Sequence, residues 1–183
     1  MNHANSSVIL IIPSASYRTN PFMDAATKLD VNILVITDKS QVFSEYYPDN
    51  VITMNFENWE ESIENIREWS ERCDLKAVIG VDEESIILAA KISESLCIEH
   101  NSLESVKLTK NKYLMRSELK KSGMKSPWFK RFPVHEKPKD IFAELSFPCV
   151  LKPTFLSASQ GVLRVNSFEE FTKGCEMLSV FLA

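Results

Sequence analysis

The sequence predicts an α/β protein in two parts, a doubly wound parallel sheet followed by a smaller α+β subdomain. In the N-terminal part, short apolar runs alternate with helical patterns, as in sheets whose strands are connected by helices. Near residue 100 the composition changes, and a strand, a small-residue loop and a second strand follow within residues 147–165. We therefore expect a Rossmann-like domain over residues 1–105 and a second domain over residues 106–183.

Short apolar runs mark the predicted strands of the first domain: residues 7–12, 32–37, 51–54 and 77–81. The first run, SVILII, is continuous, which is typical of a strand buried on both faces. Apolar residues recur at helical spacing between or after these runs, in the groups Phe22 to Leu29, Trp59 to Cys73 and Ile86 to Leu96. Asp82 follows the fourth strand, where it can either cap the third helix or contact a ligand.

The loops that follow the first and fourth strands are the candidate substrate edge of this domain. Ligands of doubly wound sheets bind beyond the carboxyl ends of the strands, which selects residues 13–17 and 81–84. The stretch PSASYR after the first strand has no glycine that would admit a pyrophosphate. The sequence therefore lacks an NAD or FAD fingerprint.

The second domain opens with a strongly basic stretch. Residues 107–131 contain nine basic side chains against the single acid Glu118, a local charge of +8 in a chain whose net charge is -4. Leu108, Met115 and Leu119 share one face of a predicted helix that ends at Ser122-Gly123. The local field suits a small anionic ligand, whereas the acidic remainder argues against a nucleic acid partner. A solvated helix face is the alternative interpretation.

The stretch from 147 to 165 is the candidate binding element. It predicts a strand that ends at Lys152, a loop that contains Ser157 and Ser159, and a second strand that begins at Gly161. Such a loop can turn backbone N–H groups and hydroxyls toward one point, and the lysine adds a positive charge, as a phosphate requires. An ordinary hairpin with a solvated lysine is the alternative. Before this stretch we expect a strand at 128–132 and a short helix capped by Asp140.

A helix is predicted after the hairpin. Ser167 and Glu170 form a capping box, and the apolar stripe that follows predicts a helix packed on the hairpin.

The N-terminus has no basic region before its short apolar run, so we expect a cytoplasmic protein without a signal peptide or membrane span. The cysteines form no C-x-x-C pair, which favours buried thiols at Cys73, Cys97, Cys149 and Cys175.

Three stretches, in this order, resemble the ATP-grasp superfamily. VDEESIILAAKISESL (81–96) is similar to the end of the pre-ATP-grasp domain in ATP-dependent carboxylate-amine ligases. TKNKYLMRSELKKSGMKSPWF (109–129) resembles the linker helix of the superfamily, and FPCVLKPTFLSASQGVLRVNSFEEF (147–171) resembles its phosphate-covering hairpin. The resemblance implies a pre-ATP-grasp domain followed by the first part of an ATP-grasp domain.

The resemblance also implies which residues bind the nucleotide. Lys112 matches the family lysine at the start of the ATP-binding region, and Lys152 matches the strand lysine that contacts nucleotide phosphate. The loop with Ser157, Ser159 and Gly161 would close over the phosphates. Arg116 is a further candidate, with pairing to the acidic first domain as its alternative. The loop is poorer in glycine than is usual in the family, because Leu156 and Ala158 stand where glycines are common. Its freedom to take positive φ angles is therefore reduced, and ATP binding is expected to be weaker.

In complete members of the family, ATP phosphorylates a carboxylate and an amine attacks the acyl phosphate. The adenine hinge, the Mg²⁺ ligands and the arginine of the acyl-phosphate step have no counterpart in this sequence. The resemblance thus implies the N-terminal portion of a ligase for a small carboxylate, inactive alone, with Mg²⁺ bound only when the C-terminal part is present. The alternatives are a non-catalytic nucleotide-binding or regulatory module, or half of a split ligase completed in trans. As a partner, a homodimer is the alternative to a C-terminal ATP-grasp lobe.

Overall fold

The computed structural model describes residues 6–39 and 50–183. The start of the N-terminal segment and most of the connection between the second and third strands lie outside these residues. The chain divides into two compact units, of which the first ends at Lys107 and the second begins at Leu108. In the described part of the chain, no helix is both long enough and apolar enough to cross a membrane.

A parallel sheet forms the centre of the first unit. Its strands are β1 (Ser6–Ile11), β2 (Asn32–Thr37), β3 (Val51–Thr53) and β4 (Asp74–Gly80), connected through α1 (Thr19–Leu29) and α2 (Ile63–Glu71) and followed by α3 (Ile86–Ser95). The strand order is β3-β2-β1-β4, and every pairing is parallel. In the register, Ile9 lies opposite both Leu34 and Val78. β1, β2 and β3 lie within a residue of their predicted bounds, whereas β4 begins three residues before its predicted start at residue 77. The predicted fold class is confirmed.

Helices cover both faces of this sheet. Side chains alternate along a strand, so neighbouring residues of β1 enter different cores. Ile9 belongs to the cluster that contains Ile66 of α2 and Ile92 of α3. Leu10 belongs to the opposite cluster, which contains Ala26 of α1. The continuous apolar run of β1 is required because both of its faces are buried.

Several local predictions for the first unit are wrong. Asp82 does not cap α3, because Ser85 is the residue before the helix and Asp82 lies in the preceding turn. The helix expected from the apolar spacing of Phe22 to Leu29 is α1, which turns Met23 and Ala26 toward the sheet and leaves Leu29 exposed. Cys97 is exposed beyond the end of α3, although its apolar neighbours predicted burial.

The rest of the chain forms short helices and a hairpin. In chain order the elements are α4 (Leu103–Lys110), α5 (Lys112–Lys121), α6 (Pro138–Ile141), β5 (Cys149–Leu151), β6 (Leu163–Val165) and α7 (Phe168–Phe181). β5 and β6 pair antiparallel, which confirms the predicted hairpin and the α+β character of this part. Leu151 and Val165 of the hairpin share a core with Phe171 and Leu178 of α7.

Other predictions for this part are corrected by the structure. The basic stretch is two helices, because Asn111 interrupts it and its side chain accepts hydrogen bonds from the backbone N–H groups of Tyr113 and Leu114, each at 3.1 Å. Residues 128–132 are not a strand, and none of the described strands pairs with them. The short helix begins at Pro138, which suits a first helical turn, so Asp140 lies inside it.

Candidate phosphate-binding site

The hairpin fixes the backbone at Lys152. The preceding residue, Leu151, is buried against α7 and lies opposite Leu163 in β6. Lys152 itself is only partly buried and begins the loop that connects the two strands. Since the residue before it is packed into the core, the start of the Lys152 side chain has little freedom to move. This is the rigid support that a charged binding group requires.

The first turn of α5 is bonded to the same loop. The backbone N–H of Lys112 donates to the carbonyl oxygen of Thr154 at 2.8 Å. The Nζ of Lys112 also donates to the carbonyl oxygen of Leu156. These bonds connect residues more than forty positions apart in the sequence. Lys112 and Lys152, the two lysines expected from the sequence, therefore lie at the two sides of one loop.

Positive charges converge at Lys152. Burial lowers the pKa of its ammonium, and the positive charges of Arg116 and Lys112 lower it further. Within the second unit, no described acidic side chain forms an ion pair with any of these three residues. A cluster of cations without a carboxylate partner attracts an anion with several charges, such as a polyphosphate.

Arg116, the further candidate from the sequence, is the third cation of this cluster. It lies four residues after Lys112 in α5, which places both side chains on one helical face. Its Nη1 donates to the hydroxyl of Ser126 at 3.4 Å, a long hydrogen bond that leaves most of its donors unused. The i to i+4 spacing to Lys112 is the sequence signal for this shared face.

The loop takes its shape with few glycines. Ala158 and Ser159 have φ angles of 50° and 61°, in the left-handed region that L residues seldom adopt. Turn hydrogen bonds hold them there, from Gln160 N to the Ser157 carbonyl oxygen at 3.0 Å and from Val162 N to the Ser159 carbonyl oxygen at 3.3 Å. The scarcity of glycine therefore does not prevent positive φ angles here. Instead, the L residues at these positions hold the loop in a strained conformation, as is common at binding sites.

The serine hydroxyls of this loop are available to a ligand. Ser157 and Ser159 are exposed, and neither hydroxyl has a hydrogen-bond partner among the described residues. A hydroxyl can donate one hydrogen bond to a phosphate oxygen. The two hydroxyls belong to the loop that Lys112 and Lys152 flank.

Gly161 has a packing reason to be glycine. Its φ angle is 66°, and a Cβ atom there would lie 2.9 Å from Cδ2 of Leu178 and 3.0 Å from Cγ of Pro153. Both contacts are shorter than ordinary van der Waals separation. The glycine therefore lets the end of the loop lie directly on α7, and a contact with phosphate is not needed to explain it.

The described residues fit a polyphosphate but not a metal ion. No group of three His, Cys, Asp or Glu side chains that could hold a metal occurs in residues 6–39 and 50–183. Mg²⁺ prefers carboxylate and other oxygen ligands, whereas the groups around Lys152 are cationic. The described residues around Lys152 do not provide a magnesium site.

The loops of the predicted substrate edge lie at the carboxyl ends of β1 and β4. Arg18, just beyond the first loop, donates through Nη1 to the carbonyl oxygen of Val81 at 3.4 Å. Its Nε lies 3.7 Å from Oδ1 of Asp82. The structure thus brings the two loops of the first unit together at one edge of the sheet.

Comparison with protein-family models found no match. Alanine–anticapsin ligase of Bacillus subtilis strain 168 is 30% identical over 110 residues, which are 60% of this chain and 23% of that protein. The Bacillus amyloliquefaciens protein of the same name is 27% identical over 110 residues and the same shares of both chains. Similarity to these curated relatives thus extends over less than a quarter of their length.

Solved structures match over nearly the whole chain. An L-amino acid ligase from Bacillus licheniformis superimposes with a TM-score of 0.69 at 22% identity, over 96% of this chain and 42% of that chain. The N5-carboxyaminoimidazole ribonucleotide synthetase purK, in its ADP complex, gives a TM-score of 0.71 at 16% identity, over 98% and 46%. These relatives are ATP-grasp ligases, and the chain has the fold of the corresponding part of them. The resemblance found in the sequence is confirmed at the level of the fold.

Proposed function

We propose that this chain is the N-terminal portion of an ATP-dependent carboxylate-amine ligase and that its second unit binds the phosphates of ATP. The observation that carries the proposal is the cluster of Lys112, Arg116 and Lys152, in which burial and then the neighbouring charges lower the pKa of Lys152. Bringing like charges together in a partly buried place costs free energy. A bound polyphosphate would offset that cost. The fold shared with the ATP-grasp relatives supports ATP as the molecule that carries the polyphosphate.

Each residue has a distinct part in the proposed site. Lys112 uses one ammonium proton on the Leu156 carbonyl oxygen and keeps two for phosphate oxygens. Lys152 acts as a point charge at the strand end, and neither lysine carries a proton in the reaction. Ser157 and Ser159 donate hydroxyl hydrogen bonds from the loop above the phosphates. These hydrogen bonds from the loop to the phosphates need no metal ion.

The proposed reaction is the formation of an amide-type bond through an acyl phosphate. ATP phosphorylates a small carboxylate, and an amine then displaces the phosphate. Cations preorganised around the phosphoryl oxygens stabilise the charge that develops during transfer. Two relatives have names that mention alanine or L-amino acids, which supports an amino-acid-like carboxylate as substrate.

We expect the chain alone to be inactive. Mg²⁺, the adenine contacts and the group that stabilises the acyl phosphate would belong to the remainder of the ligase, and Mg²⁺ is expected only with that remainder. The cytoplasmic location expected from the sequence stays a prediction. Sustained ADP release by this chain with Mg²⁺ and mixed amino acids would contradict the expectation that the chain alone is inactive.

A second candidate function, half of a ligase completed in trans by a C-terminal ATP-grasp lobe, is favoured by α7. Met177, Val180 and Phe181 are exposed there, with 63%, 80% and 57% of their surface accessible. Neighbouring exposed apolar side chains mark a surface that another lobe can cover. Mixing the chain with such a lobe should restore ADP release, whereas a regulatory module would bind ATP and stay inactive.

Calorimetry with ATP and adenosine tests the phosphate site directly. Because the proposed contacts are all to phosphate, ATP should bind at least about tenfold more tightly than adenosine. Equal affinity for the two would refute the phosphate site. Inorganic triphosphate should compete with ATP, since it carries the same charges without the nucleoside.

A further inference from the structure

A groove in the second unit lies on a part of α5 that the proposed ATP site does not use. Its volume is about 670 Å³, and it is lined by residues within 113–121 of α5 and by residues 129–131 of the segment that follows. A volume of this size suits a small molecule. Tyr113 follows Lys112 by one residue, which turns its side chain about 100° around the helix from that of Lys112. The groove therefore lies on a second face of the same helix.

The segment at residues 128–132 forms the other side of the groove, although it is not the strand that the sequence predicts. Its side chains hold it in place. The ring centroid of Phe132 lies 5.8 Å from that of Phe171 in α7, within the core of the second unit. The ring of Phe129 meets that of Tyr113 edge to face, with centroids 5.8 Å apart at 71°. Both sides of the groove are thus fixed by packed aromatic rings.

Arg131 is oriented in this groove by an aromatic ring instead of by an acid. Its guanidinium carbon lies 4.6 Å from the centroid of the Tyr113 ring, a cation–π contact. Among the residues that the structure describes, none forms an ion pair or a hydrogen bond with Arg131. A guanidinium stacked on a ring keeps the N–H groups at its edge free. These donors form the planar fork that binds two oxygens of a phosphate.

The charges in the groove favour an anion with two negative charges. Lys121 lies 3.3 Å from Glu118, and Lys130 forms an ion pair with Glu144, so each of these lysines already has an acidic partner. Lys120 has no acidic partner in the described part of the second unit, so it remains uncompensated together with the arginine. A phosphate monoester carries about 1.5 to 2 negative charges at pH 7 and presents three acceptor oxygens. It matches this pair of cations better than a carboxylate does.

We propose that the groove binds a phosphate monoester that also carries an aromatic ring, with the phosphate on Arg131 and Lys120 and the ring against Phe129. A phenolic phosphate and a nucleoside monophosphate share this chemistry. The site goes beyond the proposed ligase function and does not rest on it, because its residues differ from those of the Lys152 cluster.

Nuclear magnetic resonance titration of the ¹⁵N-labelled chain tests the groove. The probes are phenyl phosphate and AMP, with sulfate as a dianion without a ring and phenol as a ring without the phosphate. We expect phenyl phosphate, AMP or both to shift the amide signals of residues 113–121 and 128–131 saturably, and the one that binds more tightly identifies the source of the phosphate. Sulfate should need about 2- to 10-fold more, because it lacks the ring contact. Phenol should need at least about tenfold more, because it lacks the charge-assisted contacts.

Matched variants separate the two cations. Arg131→Gln should weaken phenyl phosphate binding by at least about tenfold. Lys120→Gln should weaken it by about 1.5- to 5-fold, because Lys120 is exposed to solvent. Lys125→Gln is the control, since Lys125 is an exposed lysine of the same basic stretch that does not line the groove. Lys125→Gln and Lys152→Met should both leave the affinity of the groove for phenyl phosphate unchanged.

Several results would overturn the proposal. They are no saturable shift at the groove with either phenyl phosphate or AMP, shifts confined to residues 152–161, sulfate binding as tightly as phenyl phosphate, or unchanged affinity in both groove variants. The probe series uses only the wild-type chain, so it decides the question even if a variant does not fold. Calorimetry with ATP on wild type and on Lys152→Met reports on the other site, so failure of one proposal is distinguishable from failure of the other.

Discussion

Replacing Lys152 with methionine should change stability and nucleotide binding in opposite directions. Methionine keeps an unbranched apolar side chain of similar reach but removes the charge. In the folded chain the pKa of Lys152 lies below its ordinary value of 10.5, because of burial and the charges of Arg116 and Lys112. The protonated form of Lys152 is therefore less favourable in the folded state than in the unfolded state. The charge destabilises the second unit at neutral pH.

The expected gain in stability without ATP is about 0.2–1 kcal/mol, the range of interactions between partly exposed charges. Hydrogen exchange of the amides in α7 measures it, since these amides report on the core beneath Lys152. As the pH rises through the lowered pKa toward 10.5, wild-type folded chain loses the proton before unfolded chain does. The advantage of Lys152→Met should therefore decrease across that interval.

With ATP the order reverses. A charge-assisted phosphate contact contributes about 1.5–3 kcal/mol, so Lys152→Met should weaken ATP binding by about 10- to 150-fold. At an ATP concentration of about 100 times the wild-type Kd, the wild type gains about 2.7 kcal/mol. A variant with tenfold weaker binding gains only about 1.4 kcal/mol at that concentration.

The control is Lys125→Met, which removes an exposed charge beyond the end of α5. It should change neither the stability without ATP nor the affinity for ATP by a comparable amount. If Lys152→Met destabilises the unit without ATP, or binds ATP as tightly as wild type, the reasoning about a cation cluster is wrong. Unchanged adenosine affinity would show that the loss concerns phosphate alone.

Three further substitutions test the supports of the site by urea denaturation. Gly161→Ala should destabilise the second unit by about 1–3 kcal/mol, because its Cβ would lie 2.9 Å from Leu178 in a left-handed backbone; an unchanged midpoint would mean that the loop is free to move away from α7. Ala158→Gly should stabilise it by up to about 1 kcal/mol through relief of strain at φ 50°, and a clear loss of stability would contradict the observed conformation. Asn111→Ala should cost about 0.5–2 kcal/mol by removing the cap of α5, whereas Asn111→Asp should keep most of that stability because the carboxylate can accept the same bonds.

The sequence was sufficient to predict those elements whose structure depends only on the local pattern of side chains. The buried strands β1 and β2 were predicted within a residue of their observed bounds, because a run of branched apolar side chains has few other stable environments. The hairpin at Lys152 and the capped start of α7 at Ser167 were likewise predicted, since both depend on neighbours in the chain. ATP-grasp resemblance rested on the same local stretches.

Features that depend on contacts between distant residues were decided only by the tertiary structure. The alternation in residues 128–132 resembled a strand, but a strand needs a hydrogen-bonded neighbour and none of the described strands pairs with it. Asp82 could have capped α3, but the structure places Ser85 immediately before that helix. The bonds from Lys112 to the loop and the effect of Arg116 on Lys152 join positions far apart in the chain. Periodicity records which face of an element is apolar, whereas the partner of a charged side chain is set by how the elements pack.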